Sequence, residues 1–161
     1  CQQGQRFYWQ FLSLEVLSPK EDSVASNDDS CVIKISDGLH SVLLTGDISQ
    51  RIELQLVKAH QSAPQLMGKL ASNILVVPHH GSKSSSSPEF ISAVAPEFAI
   101  FSSGFLNRWQ MPTKEVVERY HRQGVTSYNT AEHGMLRLNI GKQGIKVQPY
   151  RQQLWPFWFA N

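Results

Sequence analysis

Two adjacent histidines, His79 and His80, stand at the end of an apolar run, Ile74 to Val77, that Pro78 closes. Imidazole is the commonest metal ligand among side chains and a ready proton carrier. Open α/β sheets gather such groups where their strands end. Gly81 then allows a backbone turn that a Cβ would resist, and Ser82 adds a hydroxyl beside it. Upstream, a second apolar run, His40 to Leu44, ends in Thr45-Gly46-Asp47 and so places a carboxylate at another strand end. Taken singly, a turn aspartate or a surface histidine would look the same. Taken together, Asp47 and His80 are the expected pair of metal ligands.

The elements that must position this pair follow from periodicity. Ile74 to Val77 fits a short buried strand. After the His-His-Gly-Ser loop, Ser87 fits an N-cap, Pro88 a first helical position and Glu89 a charge favoured there, with Phe90, Ile91 and Val94 as the buried face. Cys31–Ser36 and Leu39–Leu44 flank Asp37-Gly38, a two-residue turn signal, and should pair antiparallel to deliver Asp47 to the sheet's edge. Arg51 to Gln61 carries Ile52, Leu56 and Ala59 on one face with Glu53 and Gln55 elsewhere, as an amphipathic helix would. Phe98 to Phe101 reads as a buried strand ending in Ser102-Ser103-Gly104, and Thr113 to Gln123 as a helix that stops at Gly124. Strand-like pieces follow at Thr126–Asn129, Met135–Ile140 and Ile145–Tyr150. Phe7 to Leu17 reads as a strand with a turn near its start, and Ser18 to Asp29 as a polar loop. The pattern predicts an α/β fold with a mixed sheet flanked by helices: one domain over 1–150 and an aromatic tail over 151–161, whose Leu154–Phe159 would pack on the sheet or sit at a membrane interface.

Composition narrows the field without deciding it. The chain has 161 residues, 41% apolar and 17% charged, with 15 basic against 13 acidic side chains. That suits one domain with a real core, and any preference for anions must be local. Two cysteines, Cys1 and Cys31, exclude a disulfide-dense scaffold and a zinc finger; one disulfide or two buried thiols both fit. A start at Cys1, with no signal-like segment, is expected of a piece of a longer protein.

Six segments carry a resemblance: Asn27 to Val32 (NDDSCV), Leu43 to Asp47 (LLTGD) with Glu53 after it, Val76 to Ser82 (VVPHHGS), Ser102-Ser103-Gly104, Asn107 to Pro112 (NRWQMP) and Thr130 to Gly134 (TAEHG). In this order and spacing the chain resembles the C-terminal metallo-β-lactamase-like domain of the ComEC family, inner-membrane channel proteins of bacterial DNA uptake. The resemblance implies the C-terminal part of a four-layer αββα sandwich and a metal-dependent nuclease that degrades the strand not imported. It implies that Asp47 bridges two divalent ions, zinc or manganese, that His80 caps one of them, and that His79 faces the substrate phosphate as the catalytic histidine. Gly81, Ser82, Asn107 and Arg108 would contact phosphate, with Lys83 adding charge and Trp109 able to stack on a base. The implied partners are DNA, the membrane-channel portion of the same polypeptide and other competence proteins, with the domain on the external or periplasmic side. The departures are specific. The superfamily's His-x-(His/Asp)-x-Asp-His loop lies nowhere in this chain, so the site is half present and the chain alone is expected to be inactive. Met111 stands where many relatives have a histidine, and His133 is an extra imidazole expected on an exposed loop. The competing readings are a small-substrate phosphoesterase of the same fold and a non-catalytic DNA-binding or structural domain of the channel.

Overall fold

In a computed structural model of the chain, residues 1–20, 26–62 and 70–153 are described. Seven strands form one sheet in which every strand lies beside its sequence neighbour: β1 (Arg6–Trp9), β2 (Leu12–Ser18), β3 (Val32–Ser36), β4 (Ser41–Leu44), β5 (Ile74–Val76), β6 (Phe98–Phe101) and β7 (Thr126–Asn129). The first four pair antiparallel. From β4 onward the pairing is parallel, because each connection now carries a crossover helix: α1 (Gln50–Ser62), α2 (Pro88–Val94) or α3 (Lys114–Arg122). The C-terminal ends of β4, β5, β6 and β7 therefore share one edge. Two single-turn helices, α4 (Thr130–His133) and α5 (Tyr150–Gln153), bracket a separate hairpin of β8 (Leu136–Gly141) and β9 (Gly144–Pro149). The expected mixed sheet flanked by helices is what forms.

All three crossover helices pack on one face. Leu43, Leu75, Ala99 and Phe101 of the central strands meet Ile52 and Leu56 of α1, Phe90, Ile91 and Val94 of α2, and Val116 and Tyr120 of α3 in a single buried cluster. Each Leu, Ile, Val or Phe side chain among them contributes about 1.5–3 kcal/mol by leaving water. Phe101 and Tyr120 meet edge-on, with ring centres 5.4 Å apart. Helix α2 forms as its sequence predicts: Ser87 Oγ accepts the Phe90 N–H, Pro88 opens the first turn, and Ala95 closes the helix in a left-handed conformation ahead of Pro96.

Alternation puts a second apolar set on the opposite face. The pairings Val16–Ile33–Leu44–Val76–Ile100–Tyr128 run across six strands, and Leu14–Ile35–Val42–Ile74–Phe98 run beside them. Here Ile33, Ile35, Val42, Leu44 and Val76 are only half-buried. The outer hairpin covers part of this face, where Ile140 of β8 borders a cavity of about 110 Å³ with Leu12, Ile35 and Val42.

Three local expectations change. Phe7–Leu17 is two strands, turning at Gln10 (φ 53°) and Phe11, so that Trp9 pairs with Leu12; all four β1 side chains are exposed, and no burial demand holds the segment in one straight strand. The Asp37-Gly38 turn is wider than two residues. The Asp37 carboxylate accepts the Leu39 and His40 N–H groups at 2.8 and 2.6 Å, and β4 begins only at Ser41. Glu53, expected off the apolar face of α1, is fully buried. The two cysteines, left open by the sequence, are joined in a disulfide with Cα atoms 6.0 Å apart. The aromatic stretch 154–159 lies outside the described residues, and α5 crosses the boundary placed at 150.

Candidate functional site

The edge where the parallel strands end is built one strand at a time. At the end of β4, Thr45 Oγ1 donates to the Val76 carbonyl at 2.7 Å and locks the strand to β5. Gly46 follows at φ 57°, and a Cβ there would sit 2.6 Å from Ser30 Cβ, so only glycine lets the chain pass. The Asp47 N–H donates to Ser30 Oγ at 3.0 Å, and that hydroxyl donates to the Asn27 carbonyl at 2.6 Å. Asp28 accepts the Ser49 N–H with one carboxylate oxygen and the Arg51 guanidinium with the other. Desolvation opposes the Asp28 charge, yet Ser49 and Arg51 together hold its carboxyl below the ordinary value. The Asn-Asp-Asp-Ser stretch is thus the support on which the Asp47 turn and the start of α1 rest.

At the end of β5 the backbone does something costly. His79 (φ 50°), His80 (φ 56°) and Gly81 (φ 84°) are successive left-handed residues. A side chain in that region costs about 1–2 kcal/mol per residue, and such strain concentrates at functional sites. The His79 N–H donates to the Gly46 carbonyl at 3.0 Å, tying the two turns together. At Gly81 a Cβ would come within 2.6 Å of Pro112 Cβ and 2.9 Å of the Phe101 ring. The turn aims His80 at Asp47: His80 Nε2 lies 3.4 Å from Asp47 Oδ1, with side chains 48% and 40% exposed. The other ring nitrogen, Nδ1, lies 2.6 Å from the Ser102 carbonyl oxygen. A carbonyl only accepts, so Nδ1 carries hydrogen and, in the neutral ring, Nε2 presents its lone pair beside the carboxylate. His79 points elsewhere, with its Nδ1 3.3 Å from Ser84 Oγ, which in turn lies 3.1 Å from Ser82 Oγ.

Beneath this turn runs a buried polar network that the sequence did not reveal. Glu53 takes the Ser86 N–H on one oxygen at 2.5 Å and the Ser87 N–H on the other at 2.7 Å. Burial pushes its carboxyl above the ordinary value, opposed by those two N–H groups and by Arg119. Arg119 donates to the Ser85 and Ser86 carbonyls at 3.1 and 3.0 Å, and the Tyr120 hydroxyl donates to Ser86 Oγ at 3.1 Å. Ser85 Oγ reaches back to the Pro78 and Ser82 carbonyls. The serine tract is a moulded floor under the histidine turn. Its signal in the sequence was Glu53 itself, which sits beside Ile52 and ahead of Leu56 and Val57 at helical spacing.

The structure brings Asp47, His79, His80, Gly81 and Ser82 together. Asn107 and Arg108 lie on the loop after β6, and the side-chain hydrogen bonds of Asn107 are made within that loop. The Asn107 carboxamide donates to the Gly104 and Met111 carbonyls and accepts the Met111 N–H, which closes that loop on itself. Arg108 lies over the Trp109 ring at 4.3 Å. His133, expected to be exposed, is half-buried in α4: its ring packs edge-on against Tyr128 at 5.5 Å and its Nδ1 contacts the Asn129 backbone. Among the described residues no cluster of three or more His, Cys, Asp or Glu side chains could hold a metal ion. One carboxylate and one oriented imidazole are fitting donors for a divalent cation, but they make only half a coordination shell.

The fold and this edge define a class: an α/β protein with a mixed sheet that presents an Asp–His pair where its parallel strands end. The whole chain is 39% identical to Recombination protein 2 of Haemophilus influenzae, covering 19% of that protein. Over 91% of the chain it is 36% identical to Competence protein ComA of Neisseria gonorrhoeae, covering 20% of it. Over 78% it is 32% identical to ComE operon protein 3 of Bacillus subtilis, covering 16%. These identities relate the chain to competence and recombination proteins, of each of which it spans a fifth or less. No family model matches the chain.

Proposed function

We propose that this chain is the later half of a metal-dependent nuclease domain in a protein of DNA uptake, acting on the strand that is not imported. The observation that carries this reading is the 3.4 Å approach of Asp47 Oδ1 to His80 Nε2 at the ends of neighbouring parallel strands. Asp47 and His80 would hold a divalent metal, zinc or manganese, together with ligands supplied from outside this chain. When bound, the metal lowers the pKa of a water and neutralises phosphate charge. His79, held on the same turn but turned from Asp47, would contact the scissile phosphate, and the Gly81 backbone and Ser82 hydroxyl would offer it further donors. The names of the relatives support a competence role for the parent protein.

Two further features support the reading. The half-covered apolar rows on the sheet face away from the helices suit a second sheet layer, as in the αββα sandwich of the metallo-β-lactamase fold. The Cys1–Cys31 disulfide suits an oxidising compartment outside the cytoplasm. The membrane-channel portion of the parent and other competence proteins would then be its neighbours. The test is to purify the parent protein with Asp47→Ala and with His80→Ala and measure bound divalent metal and cleavage of end-labelled DNA. Both variants should lose metal and activity. Full cleavage by either would remove the site from this edge.

A further inference from the structure

The segment from Gly104 to Met111 leaves the sheet and returns to the same spot. Its near foot is Ser102, whose carbonyl accepts from His80 Nδ1 at 2.6 Å, and its far foot is Thr113, whose N–H donates to the Gly81 carbonyl at 3.0 Å. Both feet stand on the His-His-Gly turn. Between them the three hydrogen bonds of the Asn107 carboxamide fix the shape of the loop.

What this loop presents is apolar and outward. Phe105 is 68%, Leu106 85% and Trp109 62% exposed. Rings of this size normally withdraw from water. Each ring is also paired with a guanidinium: Arg108 lies 4.3 Å from the Trp109 centroid and Arg151 lies 5.4 Å from that of Phe105. Arg151 is anchored by the Ala131 and Glu132 carbonyls, so its position is set independently of the loop. Lys114 adds a third cation on the rim of an open depression of about 820 Å³ that Phe105 and Leu106 also line, against one acid, Glu132.

We infer that this loop is a stacking platform for the unpaired bases of a single-stranded nucleic acid, lying beside the Asp47–His80 pair. The inference rests on the reading of that pair as a phosphodiester-cleaving site. Flat apolar faces interleaved with cations match a chain whose bases are flat and whose linkers are anionic. An apolar protein surface would gain nothing from guanidinium groups laid on the rings. An anionic lipid surface would meet both rings and cations, so sedimentation of the chain with phosphatidylglycerol vesicles while the oligonucleotide stays unbound would overturn the platform. A duplex would meet the cations but has no free base faces to give, since its bases already stack on one another. The loop therefore selects single strands.

The experiment is equilibrium binding of a fluorescein-labelled oligothymidylate of about twenty nucleotides, and of a duplex of equal length, to the 161-residue chain in EDTA. Salt-sensitive binding of the single strand is expected, with the duplex about ten-fold weaker. Phe105→Ala and Trp109→Ala should each weaken single-strand binding about ten-fold, and Trp109→Phe should retain most of it. Because both rings are exposed, the melting midpoints of these variants should match the wild type. No binding of the single strand, equal binding of duplex, or alanine variants that bind like wild type would overturn the platform. So would variants that abolish self-association in sedimentation while leaving oligonucleotide binding intact. EDTA removes metal chemistry from the measurement, so failure of the cleavage reading leaves this result unmoved.

Discussion

Asp47 Oδ1 and His80 Nε2 lie 3.4 Å apart at the ends of β4 and β5, although 33 positions separate them in the chain. The parallel pairing of Leu44 with Val76 brings their strands level, and the left-handed turn after Pro78 swings the imidazole across. His79, the next residue back, is directed to Ser84 instead. This split predicts different failures in the parent protein. His79→Ala should keep its metal and lose about 10²–10³ in cleavage rate, the usual loss for one charge-stabilising donor. His80→Ala should lose metal as well. Metal content and single-turnover cleavage on the two variants check this, and the reverse pattern would exchange the roles.

The isolated 161-residue chain should bind divalent metal weakly and cleave no DNA. One carboxylate and one imidazole are fewer than the three or four protein ligands that zinc sites use. Titration of the chain with zinc or manganese by calorimetry, beside a nuclease assay, tests both statements. Metal-dependent cleavage by the chain, free of contaminating nuclease and abolished by Asp47→Ala, would mean that it holds a complete site.

Gly81→Ala should destabilise the chain by about 2–4 kcal/mol, from left-handed strain and from overpacking against its neighbours. The added methyl would meet Pro112 and the Phe101 ring, both fixed in the structure. Urea unfolding of the chain measures the loss. A variant as stable as wild type would show that the turn can relax.

Most of the architecture was readable because it rests on local pattern. Short apolar runs ending in small or polar residues marked β4, β5 and β6, and the Ser87-Pro88-Glu89 start marked α2. The approach of Asp47 and His80 was readable for the same reason, since each follows a strand. What escaped were contacts that depend on tertiary neighbours. Glu53 is written as a polar residue and became core because Ser86 and Ser87 supply N–H donors from 33 and 34 positions away. Asn107 fitted a phosphate contact by type, yet its amide is occupied within its own loop. The turn near the start of Phe7–Leu17 was readable, but the separation of the segment into two strands was not, because β1 buries nothing and hydrophobic periodicity carried no information there.

Glu53→Ala should cost about 3 kcal/mol, because it leaves two buried N–H groups without an acceptor, at about 1–3 kcal/mol each. Glu53→Gln keeps the shape and one acceptor and should cost less, and it serves as the pH control. Burial raises the folded-state carboxyl above its ordinary 4.5. Between 4.5 and that raised value the folded chain binds a proton that the unfolded chain has released. The Glu53 contribution to stability is therefore full below 4.5 and declines as pH rises through the raised value, a slope that glutamine cannot produce. The measurement is the difference in unfolding free energy between wild type and Glu53→Gln across mildly acidic to neutral pH. That difference should shift against wild type as pH rises. A difference independent of pH would mean that the Ser86 and Ser87 donors and Arg119 fully offset burial, leaving Glu53 ionised with an unshifted carboxyl.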